Sequence, residues 1–138
     1  MQRKLPVPQN RSVNPLLEKE LTDKIIGAAI EVHKVLGPGL LESAYQVCME
    51  HESSLWKIPF ERLVALPLNY KGINLDAGYV IDLICDKRVV VELKAVERVI
   101  PVHEAQLLTY MRLTGIHVGL LINFNVPVVK DGIFRRVL

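Results

Sequence analysis

Apolar positions recur every three to four residues between Leu21 and Leu36, where Ile25, Ala28, Ala29, Val32, Val35 and Leu36 fall on one side of a helix. Gly37 supplies the residue just past its end, and Pro38 prevents simple continuation. A second helix opens at Gly39 and runs to about Glu52, with Leu40, Leu41, Ala44, Val47 and Cys48 as its apolar stripe. The segment Glu52–Lys57 then reads as a linker. Beyond it the period shortens to two. Phe60–Leu66 predicts a strand stopped by Pro67, followed by turns at Asn69–Gly72 and Asp76–Gly78. Tyr79–Cys85 and Arg88–Val96 predict two strands of a hairpin joined tightly at Asp86-Lys87. His103–Thr114 predicts a helix ended by Gly115, Val118–Phe124 a further strand, and Gly132–Leu138 a last one. This order predicts one mixed α/β domain over residues 17–138. Residues 1–16 hold three prolines and no periodicity, which predicts a disordered or loosely docked arm.

Three charges interrupt the apolar pattern where it is densest, in YVIDLICDKRVVVELKAVE. Side chains alternate faces along a strand, so Val90, Glu92, Lys94 and Val96 share one face and Val89, Val91, Leu93 and Ala95 the other. Both faces are mainly apolar, which marks a strand covered on both sides. Asp82 sits between Ile81 and Leu83 in the same way. An unpartnered buried charge costs several kcal/mol, so these groups must meet each other or a metal. A self-satisfied ion pair of Lys94 with either carboxylate is the plainer solution. Two carboxylates against one lysine leave an excess negative charge, however, and that favours a divalent cation with oxygen ligands.

The hairpin constrains this idea. With a clean two-residue loop at Asp86-Lys87, Asp82 would face Val91, and Asp82 and Glu92 would lie on opposite faces of the sheet. A shared site therefore requires a three-residue connection or a β-bulge.

Composition narrows the setting. The chain has 138 residues, half of them hydrophobic and 23% charged, as expected of one globular domain. No apolar run reaches the roughly 20 residues needed to span a bilayer. The basic N-terminus lacks the apolar core of a secretory signal, so a cytoplasmic location is expected. Cys48 and Cys85 show neither a metal-binding nor a redox spacing and are expected to be buried small hydrophobes. A formal charge of +2 permits a nucleic-acid partner only if the 17 Lys and Arg residues cluster locally.

Asp82, a hairpin turn and Glu92-x-Lys94 resemble the D…(D/E)-x-K signature of the PD-(D/E)XK nuclease superfamily. Gly39-Leu-Leu-Glu42-Ser-Ala-Tyr45 is similar to the GxxExxY motif of one family within it. The stretches Leu66–Gly72, Glu92–Glu97, His103–Tyr110 and Gly119–Asn125 resemble that family too, so the likeness runs from about Leu21 to Leu138. It implies a restriction-endonuclease-like core, a central mixed sheet of about four strands flanked by helices. It also implies a phosphodiesterase centre using Mg²⁺ (or Mn²⁺), with nucleic acid, DNA before RNA, as substrate. Asp82, Glu92 and the carbonyl of Leu93 would be metal ligands, and Glu42 would contribute directly or through water. Lys94 would orient the attacking water and Gln106 would hold the water or a phosphate oxygen.

Several of these residues have simpler roles available. Glu42 lies in the first turn of a helix, where a carboxylate complements the helix dipole. Tyr45 fits a packing residue with a hydrogen-bonded hydroxyl better than a catalyst. Gln106 equally suits a buried backbone group, and His103, near Gln106, is a lesser candidate for substrate contact. Lys87, Arg88, Arg98 and Arg112 are candidates for phosphate contacts, against the usual role of solvated charges. Two functions fit the pattern: a metal-dependent nuclease, or a non-catalytic nucleic-acid- or protein-binding module on the same fold. The presence of Asp82, Glu92, Lys94 and Gln106 together favours the first, since a binder has no evident need of all four.

Overall fold

The computed structural model describes residues 14–76 and 78–138. Residues 1–13, most of the expected arm, lie outside the described residues, as does Ala77 within the expected Asp76–Gly78 turn. The end of that arm is docked: the Arg135 guanidinium donates to Pro15 O at 2.7 Å and also to Leu17 O.

Helices α1 (Lys19–Leu36) and α2 (Glu42–Leu55) form a helical hairpin turned at Gly37-Pro38-Gly39. Gly37 has φ 68°, which suits glycine, and its N–H closes α1 on His33 O at 2.7 Å. The expected apolar stripe of α2 is wrong. Leu40 and Leu41 precede the helix, and Leu41 and Val47 are exposed. The buried face instead carries Tyr45, Gln46, Met49 and Ser53. Tyr45 decides this phase, because its ring stacks on Phe124 at 4.5 Å and buries more area than a valine can. The expected linker is helical through Leu55, and Trp56 packs over Gly27 so closely that a Cβ there would sit 2.6 Å from the indole. Cys85 is fully buried as expected, whereas Cys48 is only partly so.

The sheet has five strands rather than about four: β1 (Phe60–Ala65), β4 (Val80–Cys85), β5 (Val89–Lys94), β6 (Val118–Asn123) and β7 (Ile133–Val137), in that spatial order. Only β5 and β6 pair in parallel, and helix α3 (Pro101–Thr114) provides the crossover between them. Between β1 and β4 the chain makes a separate two-stranded hairpin, β2 (Leu68–Tyr70) and β3 (Ile73–Leu75). The turn expected at Asn69–Gly72 is its tip.

Two apolar layers sandwich the sheet. Leu83, Cys85, Val89, Val91, Leu93, Leu120 and Ile122 pack with α1 and α2, while Val90 and Leu121 pack with Leu107, Tyr110 and Met111 of α3. Gly119 lets α3 approach closely, since a Cβ there would lie 2.5 Å from Met111 Sδ. The expected burial of β5 on both faces is met, with every residue from Val89 to Leu93 buried. Among the described residues no helix is long and apolar enough to cross a membrane.

Candidate active site

The β4–β5 connection resolves the parity problem. Cys85 pairs with Val89, leaving the three residues Asp86, Lys87 and Arg88 in the turn. Asp86 and Lys87 take left-handed φ values of 50° and 57°, and Arg88 N–H bonds Cys85 O at 2.9 Å. Continuing the Leu83–Val91 pair by one step sets Asp82 opposite Glu92, on the same side of the sheet.

At that step the backbone ladder gives way to side chains. Glu92 Oε2 accepts the Asp82 N–H at 3.0 Å, and Asp82 Oδ2 accepts the Leu93 N–H at 2.7 Å. Each carboxylate thus satisfies a backbone donor of the other's strand, and the two are locked together. The interruption extends to β1, where Arg62 pairs with Leu83 and Val64 with Ile81 but Leu63, opposite Asp82, turns to φ 46°. Ile81 and Ile84 consequently both pack in the α3 layer, so strict alternation fails at Asp82.

Helices hold this crossing from both sides. From α2, Gln46 Nε2 donates to Asp82 O at 3.0 Å and to Glu50 Oε2 at 2.8 Å. From α3, Gln106 Oε1 accepts a long bond from Lys94 Nζ at 3.4 Å. Tyr110, one turn further along α3, is 4% exposed, and the charges of both carboxylates act on it. Behind β5, Asn123 is 2% exposed and clamps Val96, accepting its N–H at 3.0 Å and donating to its carbonyl at 2.9 Å. This side-chain pairing ends β5 at Lys94 rather than at the expected Val96.

Burial dominates the electrostatics. It raises the pKa of Asp82, partly opposed by the Leu93 N–H bond, raised further by the charge of Glu42 and lowered by that of Lys94. Glu92 is only 4% exposed, and burial followed by the charge of Asp82 pushes its pKa up to about 8. The Tyr110 hydroxyl is also raised, first by burial and then by Glu92 and Asp82. The surroundings therefore disfavour full ionisation of the two carboxyl groups.

The other expected site residues fall as follows. Glu42 is exposed at the start of α2, close enough for its charge to act on both carboxylates. Among the described residues no three His, Cys, Asp or Glu side chains gather into a ready metal cage, so Glu42 does not complete a triad with the crossed pair. Tyr45 clasps the α1–α2 turn, donating to Gly37 O at 2.6 Å and accepting from Leu40 N–H at 3.3 Å. His103 Nδ1 accepts the Ile100 N–H at 3.1 Å and so caps α3. Arg88 is tied to Glu18 and Asp86 at the far end of the hairpin from the carboxylates. Gln46, Tyr110 and Asn123 were not anticipated. Glu42, Gln46 and Glu50 recur every four residues, and that polar stripe beside buried Tyr45 and Met49 was the available signal.

A family model described as the PD-(D/E)XK nuclease superfamily matches residues 19–137, from the first residue of α1 to the last of β7. The chain belongs to that superfamily. No curated protein and no solved structure matches it. Its mixed sheet flanked by helices agrees with a PD-(D/E)XK restriction-endonuclease-like fold, and membership points to nuclease-type chemistry on nucleic acid. Within this PD-(D/E)XK domain the donor chemistry fits a hard divalent cation. Asp82 and Glu92 offer carboxylate oxygens beside the Leu93 carbonyl, in surroundings that leave their charge undercompensated.

Proposed function

We propose that this PD-(D/E)XK protein is a divalent-metal-dependent nuclease of the GxxExxY kind that hydrolyses phosphodiester bonds, most readily in DNA. The observation that carries the proposal is the crossed pair of carboxylates, Glu92 buried and Asp82 half-buried, with Lys94 beside it. A structural ion pair needs one carboxylate, and the second raises the free energy of the metal-free site. Asp82, Glu92 and the Leu93 carbonyl would hold Mg²⁺ or Mn²⁺, with exposed Glu42 reaching it through water. A cation there would acidify a bound water and offset charge on the scissile phosphate.

The protein's own groups account for the rest. Lys94 extends from the same face of β5 as Glu92, and its ammonium would orient the attacking water and stabilise charge growing on phosphorus. Gln106 accepts from that ammonium, so the donor is aimed before substrate arrives. Gln46 fixes the backbone at Asp82.

The test is cleavage by the purified chain of single-stranded, duplex, nicked and flapped DNA and of RNA, with Mg²⁺, Mn²⁺ or EDTA. Cleavage that needs the metal and falls at least 100-fold in Lys94→Ala is expected from the usual weight of such groups. Folding of the variant is checked by circular dichroism, because removing Lys94 strands the carboxylates. A folded Lys94→Ala protein as active as wild type would rule out its catalytic role. Nucleic-acid binding without cleavage would instead identify a binding module.

A further inference from the structure

The β2–β3 hairpin takes no part in the main sheet, and nothing in the chemistry above uses it. Its pairing sets Leu68 with Leu75 and Tyr70 with Ile73 on one face, and Asn69 with Asn74 on the other. The first face is apolar, yet Tyr70 is 59% and Ile73 60% exposed. The second is stiffened by a bond from Asn69 Nδ2 to Asn74 Oδ1 at 2.9 Å, and Asn69 Oδ1 accepts the Gly72 N–H at 3.0 Å. The tip Lys71-Gly72 has φ 48° and 90°, positive at both central residues as in a type I′ turn. Asn or Gly suits the first of these positions, and a lysine held there is strained. Local stability therefore does not account for Lys71, and packing does not account for Tyr70 or Ile73. The Lys71 ammonium stands 5.2 Å from the Tyr70 ring centroid.

The position of the hairpin suggests its use. It leads directly into β4, and β4 begins beside the end of β5, so it rises from the same end of the sheet as Asp82, Glu92 and Lys94. A cleft of about 460 Å³ at its base is lined by Leu66, Leu68, Leu75 and Tyr79. Tyr79, 44% exposed, directly precedes β4, the strand that carries Asp82, so the cleft adjoins the start of that strand. The connection leaving β5 adds exposed Arg98, and among the described residues neither Lys71 nor Arg98 forms an ion pair.

We propose that the β2–β3 hairpin grips single-stranded nucleic acid beside the cleavage centre, with bases stacked on Tyr70 and Ile73 and a phosphate on Lys71. This deepens the nuclease reading and rests on it for the direction of the strand. An aromatic ring with a bare flank takes any base on its face, whereas in a duplex the base faces are already stacked. The small cationic area at the tip suits one strand's phosphates better than the two backbones of a duplex. The grip thus favours single-stranded substrates, or the unpaired arm of a branched one.

The test is fluorescence anisotropy of the full chain with a labelled single-stranded oligonucleotide and with its duplex, in Ca²⁺ to suppress turnover. Tyr70→Ala and Ile73→Ser should each weaken single-strand binding on the order of tenfold, with duplex binding little changed. Tyr70→Phe should bind as wild type, since it keeps the ring. The hairpin pairs only with itself, so these variants should keep the wild-type melting temperature. Unchanged single-strand affinity in Tyr70→Ala overturns the proposal, as does a wild-type dimer that Tyr70→Ala turns into a monomer. Metal-dependent cleavage with hairpin-independent binding overturns the grip and leaves the nuclease reading intact. Hairpin-dependent binding without cleavage supports the grip and removes that reading.

Discussion

Replacing Glu92 by Gln should stabilise the metal-free protein, although Glu92 sits in the candidate active site. The carboxyl is 4% exposed, and its pKa is pushed from the ordinary 4.5 to about 8 in the folded chain. Its raised folded-state pKa means that the native state holds the proton more tightly than the unfolded chain. The resulting stability is fully present below about pH 4.5 and is lost as pH rises through about 8. Each pH unit in that window removes roughly 1.4 kcal/mol, so at pH 7 the loss is roughly 3 kcal/mol. Gln cannot ionise and escapes this loss, and its amide oxygen can still accept the Asp82 N–H. In EDTA the Glu92→Gln protein should therefore melt about 10 °C above wild type at pH 7 to 8. Near pH 4.5 the two should melt together. Thermal unfolding followed by circular dichroism across pH 4.5 to 8.5 makes the measurement. A Glu92→Gln protein less stable than wild type at pH 8, or equally sensitive to pH, would refute the claim that burial strains this carboxylate.

The supporting structure makes predictions of its own. Asn123→Ala strands the N–H and C=O of Val96 and should lower stability by about 2–4 kcal/mol in chemical denaturation, with cleavage reduced because the chain just past Lys94 loosens. Unaltered stability would mean that water replaces the clamp. Gly119→Val forces side-chain atoms into Met111 and Leu107 and should cost about 1–3 kcal/mol or more. The displaced α3 should also reduce activity through Gln106, and a Gly119→Val protein of wild-type stability and rate would show that α3 is not held by this contact.

The candidate site was legible where chemistry and pattern collide. Asp82, Glu92 and Lys94 stood out because charges inside apolar strands are costly, and strand parity together with a shared site called for a three-residue connection or a bulge, of which the Asp86-Lys87-Arg88 turn is the first. Residues whose role depends on tertiary approach were not visible in this way. Gln46 reaches Asp82 only because α2 starts at Glu42 and turns Tyr45 inward, which an apolar count centred on Leu41 and Val47 misplaces. Asn123 lies inside the expected strand Val118–Phe124 with nothing local to mark it, and its bonds to Val96 arise only once β6 lies parallel to β5. The β2–β3 strands are three residues each and exposed, too short and too polar on one side for periodicity to register. The break of alternation at Asp82 depends on Leu63 across the sheet, a long-range effect with no local signature.

The central claim is that Asp82 and Glu92 form a metal centre, and Mn²⁺ titration followed by electron paramagnetic resonance tests it directly. Bound Mn²⁺ loses the sharp signal of the free ion, so occupancy is counted without any substrate. The wild-type chain should remove at least one Mn²⁺ per molecule, and Mg²⁺ should displace it. Binding should tighten as pH rises towards 8, since Glu92 must give up its proton to act as a ligand. Asp82→Asn, which keeps the shape and the bond to Leu93 N–H but lacks the charge, should weaken binding at least tenfold. Wild-type protein that leaves the free Mn²⁺ signal undiminished at pH 8, with single-stranded DNA present to supply phosphate oxygens, would contradict the account, as would an Asp82→Asn variant binding Mn²⁺ as tightly as wild type.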